Sequence, residues 1–386
     1  MLLQNVNITG NEHPLDIKLD ANSISEISIN AKAGKDELVI EFDNAIAFPG
    51  LINSHDHLEF NLFPKLANKI YNSYLEWGAD IFENNKNTIH TITKIPKQLR
   101  AEWGVFKNIF NGVTTVVHHG EHFNLPQPAI NVFQECYSLH SVKLEKNWKF
   151  KLNRLFPLQQ PFVIHIGEGT DAASFNEINE LITWNIFKRD LIAIHGVSMT
   201  PEQAKSFRAL IWCPDSNFVL YNATANIKEI KKETKILFGS DSCVSAGWNL
   251  WDHIRLARNT KMLTDEELFN SLTSVPATAW NLEGKGVLAA GKDADIVIAK
   301  KSGGQNFSDC FFQLDPSDIL LVICRGEIIL FDEQISSSLK YHLPTENFSK
   351  VYVDSIGKYV KGNLNGLVTE IRKSASEVKF PIEFDH

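Results

Sequence analysis

The chain has no basic excess, few cysteines and no long apolar run. Its 386 residues carry 38 Lys and Arg against 46 Asp and Glu, a formal net charge of −8. No Lys/Arg stripe interleaved with aromatics occurs, so a nucleic-acid groove is not expected. No apolar stretch reaches the ~20 residues that span a bilayer. The opening Met1-Leu-Leu-Gln-Asn-Val-Asn-Ile8 lacks the basic start and apolar core of a signal peptide. The five cysteines, Cys136, Cys213, Cys243, Cys310 and Cys324, form no C-x-x-C pair. An odd, scattered set reads as reduced, mostly buried thiols in a cytoplasmic protein. The G-x-G-x-x-G, phosphate-loop and G-x-S-x-G signatures are missing, which removes support for nicotinamide, nucleoside-triphosphate and serine-hydrolase chemistry.

What is present is an ordinary globular composition, 44% hydrophobic and 22% charged. Residues 1–49 alternate in short runs such as Val6-Asn-Ile8, Ile24 to Ile29 and Leu38 to Phe42, separated by turn residues, and predict a small β unit. From Leu51 onward, short apolar runs alternate with helical patterns. The runs are Val113 to Val117, Phe162 to His165, Leu191 to His195, Ala209 to Cys213 and Ile236 to Gly239. Asp171 predicts a helix cap, Thr200-Pro-Glu-Gln203 and Thr264-Asp-Glu-Glu267 are capping boxes, and Leu250, Ile254 and Ala257 form an apolar stripe at helical spacing. This alternation predicts an α/β fold, a (β/α)₈ TIM barrel over residues 50–282. Its third and fourth strands have no clear signature between Leu139 and Gln160. After Trp280 short strands return. Residues 1–49 and 283–386 are expected to join as a small composite β-sandwich domain with a terminal helix over Asn363 to Lys373.

Chemistry-bearing residues sit at the ends of the apolar runs. His55 and His57 close the first, and residues i and i+2 of a strand share a face. His165, His195 and Asp241 close later runs. In a barrel of parallel strands, all carboxyl ends open on one face, so these residues converge there. Three histidines and an aspartate suit one Zn²⁺, or Fe²⁺ as the alternative, with a position left for water. Such an ion lowers the pKa of its water toward ~7. Glu168, just past the run ending at His165, is placed to carry protons. Read singly, Glu168 is a solvated loop carboxylate, His195 a core histidine and Asp241 a helix cap. Together those readings must account for four independent strand ends.

The ordered set of segments resembles the amidohydrolase superfamily. It is most similar to the mononuclear branch of cytosine-, guanine- and adenosine-type deaminases and triazine hydrolases. The segments are Phe48-Pro-Gly-Leu-Ile-Asn-Ser-His55-Asp-His57, Gly112-Val-Thr-Thr, His165-Ile-Gly-Glu168, His195-Gly-Val, Trp212-Cys-Pro-Asp-Ser-Asn217, Gly239-Ser-Asp241-Ser, Val275-Pro-Ala-Thr-Ala and Gly284 to Val297. The resemblance implies metal ligands His55, His57, His165 and Asp241. It implies Asp241 also as acceptor of the water proton, Glu168 as acid, and His195 as the group that orients the hydroxide. The implied enzyme is a hydrolase of non-peptide C–N bonds, in which metal-bound hydroxide attacks an sp² carbon. The favoured form is a deaminase releasing ammonia from a small cyclic amidine, aminopurine, pyrimidine or triazine-like molecule. A ring-opening lactam or imidazolone hydrolase and a non-catalytic scaffold are the alternatives. Binuclear relatives use a carboxylated lysine after the fourth strand. Lys143, Lys146, Lys149 and Lys151 are the candidates here and none ends an apolar run, which favours one ion.

Substrate contacts are expected from Glu59 and Asn61 after the first strand, His119, Glu121 and His122 after the second, Tyr137 and His140 of the third, Asn217, and Trp248 after the eighth. The run His118-His-Gly-Glu121-His122 also satisfies the inverted zinc-peptidase pattern, which needs a helix. The preceding Val113-Thr-Thr-Val-Val117 and the internal Gly120 predict strand and turn instead. A small-molecule substrate is the expected partner, without nucleic acid or membrane, and a second copy of the chain could pair with it as a homodimer.

Overall fold

The computed structural model describes residues 1–155, 160–301 and 306–384. Eight parallel strands carry the middle of the chain: Leu51–Asp56, Val113–His118, Asn131–Phe133, Tyr137–Ser141, Phe162–Ile166, Leu191–His195, Ala209–Trp212 and Lys235–Phe238. Parallel ladders join the first three into one sheet and the last five into another. The end of the eighth strand returns to the first. The Asp241 amide donates to the His55 carbonyl at 3.0 Å, and the Ser240 amide to Asn53 Oδ1 at 3.0 Å. Every residue of the first, second, fifth and sixth strands is buried, as continuous apolar runs covered on both faces require.

The helix signals hold. Asp171 Oδ1 accepts the Ser174 amide at 2.7 Å and starts the helix Ala172–Trp184. Thr200 and Thr264 close reciprocal capping boxes. Leu250, Ile254 and Ala257 are the buried stripe of the helix Leu250–Thr260, and the terminal helix runs Leu364–Ser374. The strands without a signature are the third, three half-buried residues, and the fourth, Tyr-Ser-Leu-His-Ser. Both are too short and too polar to stand out by pattern. Tyr137 and His140, expected on the third strand, lie on the fourth.

The sandwich expected of the chain ends takes the form of a single ten-stranded sheet. The reason lies in the strand Val39–Pro49. It pairs parallel with Leu2–Ile8 on one side and antiparallel with Ile296–Lys300 on the other, so the two ends of the chain merge into one ladder. The sheet is tied to the helices Leu250–Thr260 and Phe307–Phe312 by Phe48, whose ring meets Phe311 at 5.1 Å and Trp251 at 6.0 Å edge-on. Each such aromatic pair adds about 0.5–1.5 kcal/mol beyond its buried area.

The helix Lys97–Phe110 packs across the turn Leu58–Phe60, which follows His57 directly. Gly104 makes that approach possible. A Cβ there would lie 2.4 Å from the Leu58 carbonyl oxygen and 2.7 Å from its Cα. Backbone on both sides cannot yield cheaply. Gly104→Ala is therefore expected to lose about 1–3 kcal/mol of stability, read from the midpoint of denaturant unfolding; an unchanged midpoint would show that the helix slides away freely.

Candidate metal and catalytic site

Five side chains converge where the first, fifth, sixth and eighth parallel strands end. His57 Nε2 and His165 Nε2 are 3.2 Å apart. His55 Nε2 lies 3.5 Å, and His57 Nε2 3.9 Å, from Asp241 Oδ1. His195 Nε2 lies 3.9 Å from Asp241 Oδ2 and 3.8 Å from Glu168 Oε1. The side-chain atoms of His55, His165 and His195 form one group that could hold a metal ion, and those of His55, His57 and Asp241 another.

The surroundings fix which nitrogen faces inward. His165 Nδ1 is 2.9 Å from the His140 carbonyl, which can only accept. His165 therefore carries its proton on Nδ1 and aims a lone pair from Nε2. His195 Nδ1 is 2.8 Å from Asn217 Oδ1, which orients its Nε2 in the same way. Metal-ligating histidines are held by such outer hydrogen bonds as a rule. Burial, reinforced by the neighbouring imidazoles, lowers the pKa values of His57 and His165 well below the usual histidine range. They are neutral at neutral pH, as ligands must be. His55 is fully buried, and neither ring nitrogen makes a hydrogen bond. An unpaired buried imidazole costs the desolvation of both nitrogens. A cation beside Nε2 would satisfy one of them, so the donor set fits a divalent metal ion.

The carboxylates differ. Burial alone would raise Asp241, but the histidines around it overrule that and hold it well below the ordinary carboxylate range. Its Oδ2 accepts Ser216 Oγ at 2.7 Å and Ser245 Oγ at 2.8 Å, leaving Oδ1 toward His55. Glu168 is raised, chiefly by burial and further by Asp241. Tyr221, itself buried, donates to Glu168 Oε1 at 2.9 Å. Two carboxyl groups pushed apart in acidity are the arrangement that acid–base catalysis uses. Asp241 and His195 also have φ of +55° and +68°. Side-chain-bearing residues held in that region cluster at functional sites.

The remaining candidates separate. His119 joins the centre, its ring 4.5 Å from that of His165 and 5.4 Å from those of His55 and His57, with Nδ1 unpaired. Glu59 is buried nearby, with Oε2 unpaired and 4.0 Å from His118 Nε2. His140 supplies its carbonyl to His165, its ring tilted 5.4 Å away. Four candidates have other positions or partners. Glu121 is exposed and paired with Lys97 at 2.7 Å, because the turn at Gly120 directs it outward. His122 is exposed beyond it. Asn217 serves His195 rather than a substrate. Asn61 is bound to the scaffold, donating to Asp56 Oδ1 at 2.8 Å and accepting from Lys107 at 3.0 Å. Trp248 lines, with Asn61, Phe63 and Phe380, a neighbouring cavity of about 740 Å³. Tyr137 stacks on Phe162 at the opposite end of its strand. Lys143, Lys149 and Lys151 pair with Glu180 or Glu145 at the surface, and Lys146 is exposed. His118 ends a strand, so the inverted peptidase pattern has no helix to stand on.

Ser216, Tyr221 and Ser245 went unread in the sequence. Ser216 had a signal, lying beside Asn217 in the quoted Trp212-Cys-Pro-Asp-Ser motif. Tyr221 and Ser245 had none.

Imidazoles and carboxylates gathered at the ends of parallel strands form a candidate site for a metal ion. Residues 163–329 match the Amidohydrolase family, so the resemblance read from the motifs is borne out. Among similar proteins, a 5-methylthioadenosine/S-adenosylhomocysteine deaminase of Caldicellulosiruptor saccharolyticus is 23% identical over 394 aligned residues, covering 83% of this chain and 89% of that protein. A 5'-deoxyadenosine deaminase of Methanocaldococcus jannaschii is 25% identical, covering 77% and 85%. A zinc-bound adenosine deaminase structure from Xanthomonas campestris superimposes with a TM-score of 0.73 at 14% identity, covering 98% of both chains. A zinc complex of atrazine chlorohydrolase from Arthrobacter aurescens gives 0.67 at 16% identity, over 85% of this chain and 94% of that one. The fold is thus of the TIM-barrel type with an attached sheet. No described helix is long and apolar enough to cross a membrane.

Behind Glu168 lies a second buried carboxyl. Glu177 accepts the Gly167 amide at 2.9 Å and the Tyr74 hydroxyl at 3.1 Å. Burial raises its pKa from 4.5 to about 7 against the pull of those two donors, with Glu168 adding to the rise. The native state therefore holds a proton that the unfolded chain has released between pH 4.5 and about 7, and stability falls as pH rises through that window. Glu177→Gln should remove this slope. The melting temperature of the variant, relative to wild type, should climb from pH 4.5 to about 7 and then level off; parallel melting curves across that range would contradict the assignment.

Proposed function

We propose that the protein is a zinc-dependent deaminase that replaces the amino group of a purine-like ring with oxygen and releases ammonia. The observation that carries this reading is Glu168: a buried carboxyl of raised pKa, held by Tyr221 and facing His195, beside four inward imidazoles. The names of the similar deaminases support the purine-like substrate.

His55, His57, His165 and Asp241 would hold one Zn²⁺, with Fe²⁺ the alternative. When bound, the ion acidifies water and stabilises negative charge at the attacked carbon. Glu168, its acidity weakened by burial, gives its proton to the ring nitrogen next to that carbon. The carbon becomes more electrophilic and the C=N bond opens. Water adds, and Asp241, the stronger acid of the two and therefore the carboxylate present, takes the proton the water loses. The carbon now bears both oxygen and the amino group. His195, its Nδ1 proton held by Asn217, accepts at the new oxygen through Nε2. Return of the proton from Asp241 to the amino nitrogen breaks the C–N bond, the proton left on the oxygen passes through His195 to Glu168, 3.8 Å away, and ammonia leaves with the ring intact. His119 and Glu59 supply polar contacts to the ring. The arrangement uses one ion, since none of the four lysines after the fourth strand reaches the centre.

We further take the two parallel sheets as one closed (β/α)₈ barrel over residues 50–282, with 1–49 and 283–386 as the composite β domain.

Purified protein should contain about one transition metal per chain. With metal restored, it should release ammonia from adenosine, 5'-deoxyadenosine or a thioether analogue. Glu168→Gln should keep the metal and lose about 10²–10⁴-fold in turnover. Elemental analysis without metal after zinc or iron supplementation would end the reading, and unchanged turnover would remove Glu168 from its role.

A further inference from the structure

Asp56 stands between His55 and His57, so strand alternation turns it to the opposite face, toward the helix Lys97–Phe110. There it meets Lys107, buried in the last turn of that helix. Lys107 Nζ lies 3.1 Å from Asp56 Oδ2, 3.0 Å from Asn61 Oδ1 and 3.2 Å from Ser240 Oγ. Asp56 also accepts Asn108 Nδ2 at 2.8 Å and Asn61 Nδ2 at 2.8 Å. Asn53 Nδ2 donates to Ser240 Oγ at 2.8 Å, and Ser240 Oγ donates to the Asp241 carbonyl at 3.0 Å.

One charged network thus touches the strand that carries His55 and leads into His57, and the residue preceding Asp241. It lies where the first and eighth strands meet, and among the described residues no ladder joins that pair. In place of a ladder, the backbone contact of Asp241 with His55 is flanked by these side chains. The spacing of three of the four proposed ligands is therefore set across this seam.

We infer that Lys107, with Asp56 and Ser240, is a positioning group for the metal centre: it fixes the first strand against the eighth so that His55, His57 and Asp241 face one ion. The inference rests on the metal-site reading above. A simple structural role would lower stability alone. A positioning role must also change how an ion is held, because a buried cation that bonds three partners at once permits one spacing of the strands it touches. Groups that orient ligands from behind are worth about 10–100-fold in metal affinity.

The test is Co²⁺ titration of metal-stripped protein, reading the dissociation constant by chelator competition and the visible ligand-field spectrum. Wild type, Ser240→Ala, Lys107→Met and Lys107→Met/Asp56→Asn are compared, with circular dichroism of each. Ser240→Ala and Lys107→Met should bind Co²⁺ about 10–100-fold more weakly and with altered band intensities. The double variant, with no uncompensated charge left, should recover part of the loss. Wild-type affinity and spectrum in the folded single variants would overturn the inference. If Lys107→Met does not fold, Ser240→Ala decides alone. Wild type failing to bind Co²⁺ would instead overturn the metal-site reading itself.

Discussion

Everything in this molecule turns on the cost of burying nitrogen lone pairs. His55, His57, His165 and His195 come from three different stretches of chain and point inward, in a place that water barely reaches. Their outer nitrogens, where partnered, meet oxygens that fix the tautomer, as His140 does for His165 and Asn217 for His195. Their inner nitrogens face one another and Asp241. Such an assembly is unfavourable without a cation.

Two buried acids are arranged around that cluster to opposite ends. Asp241 receives two serine hydroxyls and the field of the imidazoles, and stays ionised. Glu168 receives one tyrosine hydroxyl and is otherwise enclosed, so it resists ionisation. The helix Lys97–Phe110 matters to both levels of the structure. Its Gly104 lets the turn after His57 come close, and its Lys107 neutralises Asp56 behind the same strand.

Much of this was legible in the chain. Apolar runs with metal-type residues at their ends gave both the parallel strands and the five central side chains, because position along a strand dictates where its end emerges. Capping signals located helices well, since Asp171, Thr200 and Thr264 act on their own neighbours. Legibility failed where the determinant was tertiary. The third and fourth strands are short and partly polar, and their pairing is settled by neighbours. Glu121 and Asn61 followed strands as expected of pocket residues, but a turn at Gly120 and a buried lysine claimed them. Tyr221 could not be read at all: its only mark is a hydroxyl reaching a carboxylate 53 positions away. The chain ends were read as sheet, while their merger into one ladder depended on the two-sided pairing of Val39–Pro49.

The central claim is a centre of imidazoles and one carboxylate, with no sulfur, although Cys213 Sγ lies close behind the eighth strand, near Gly239. X-ray absorption fine structure of the zinc-loaded protein tests it most directly. A single shell of nitrogen and oxygen at about 2.0–2.2 Å, with the outer scattering of several imidazoles, is the expected result. A sulfur shell at about 2.3 Å, or zinc coordinated without imidazole, would contradict it.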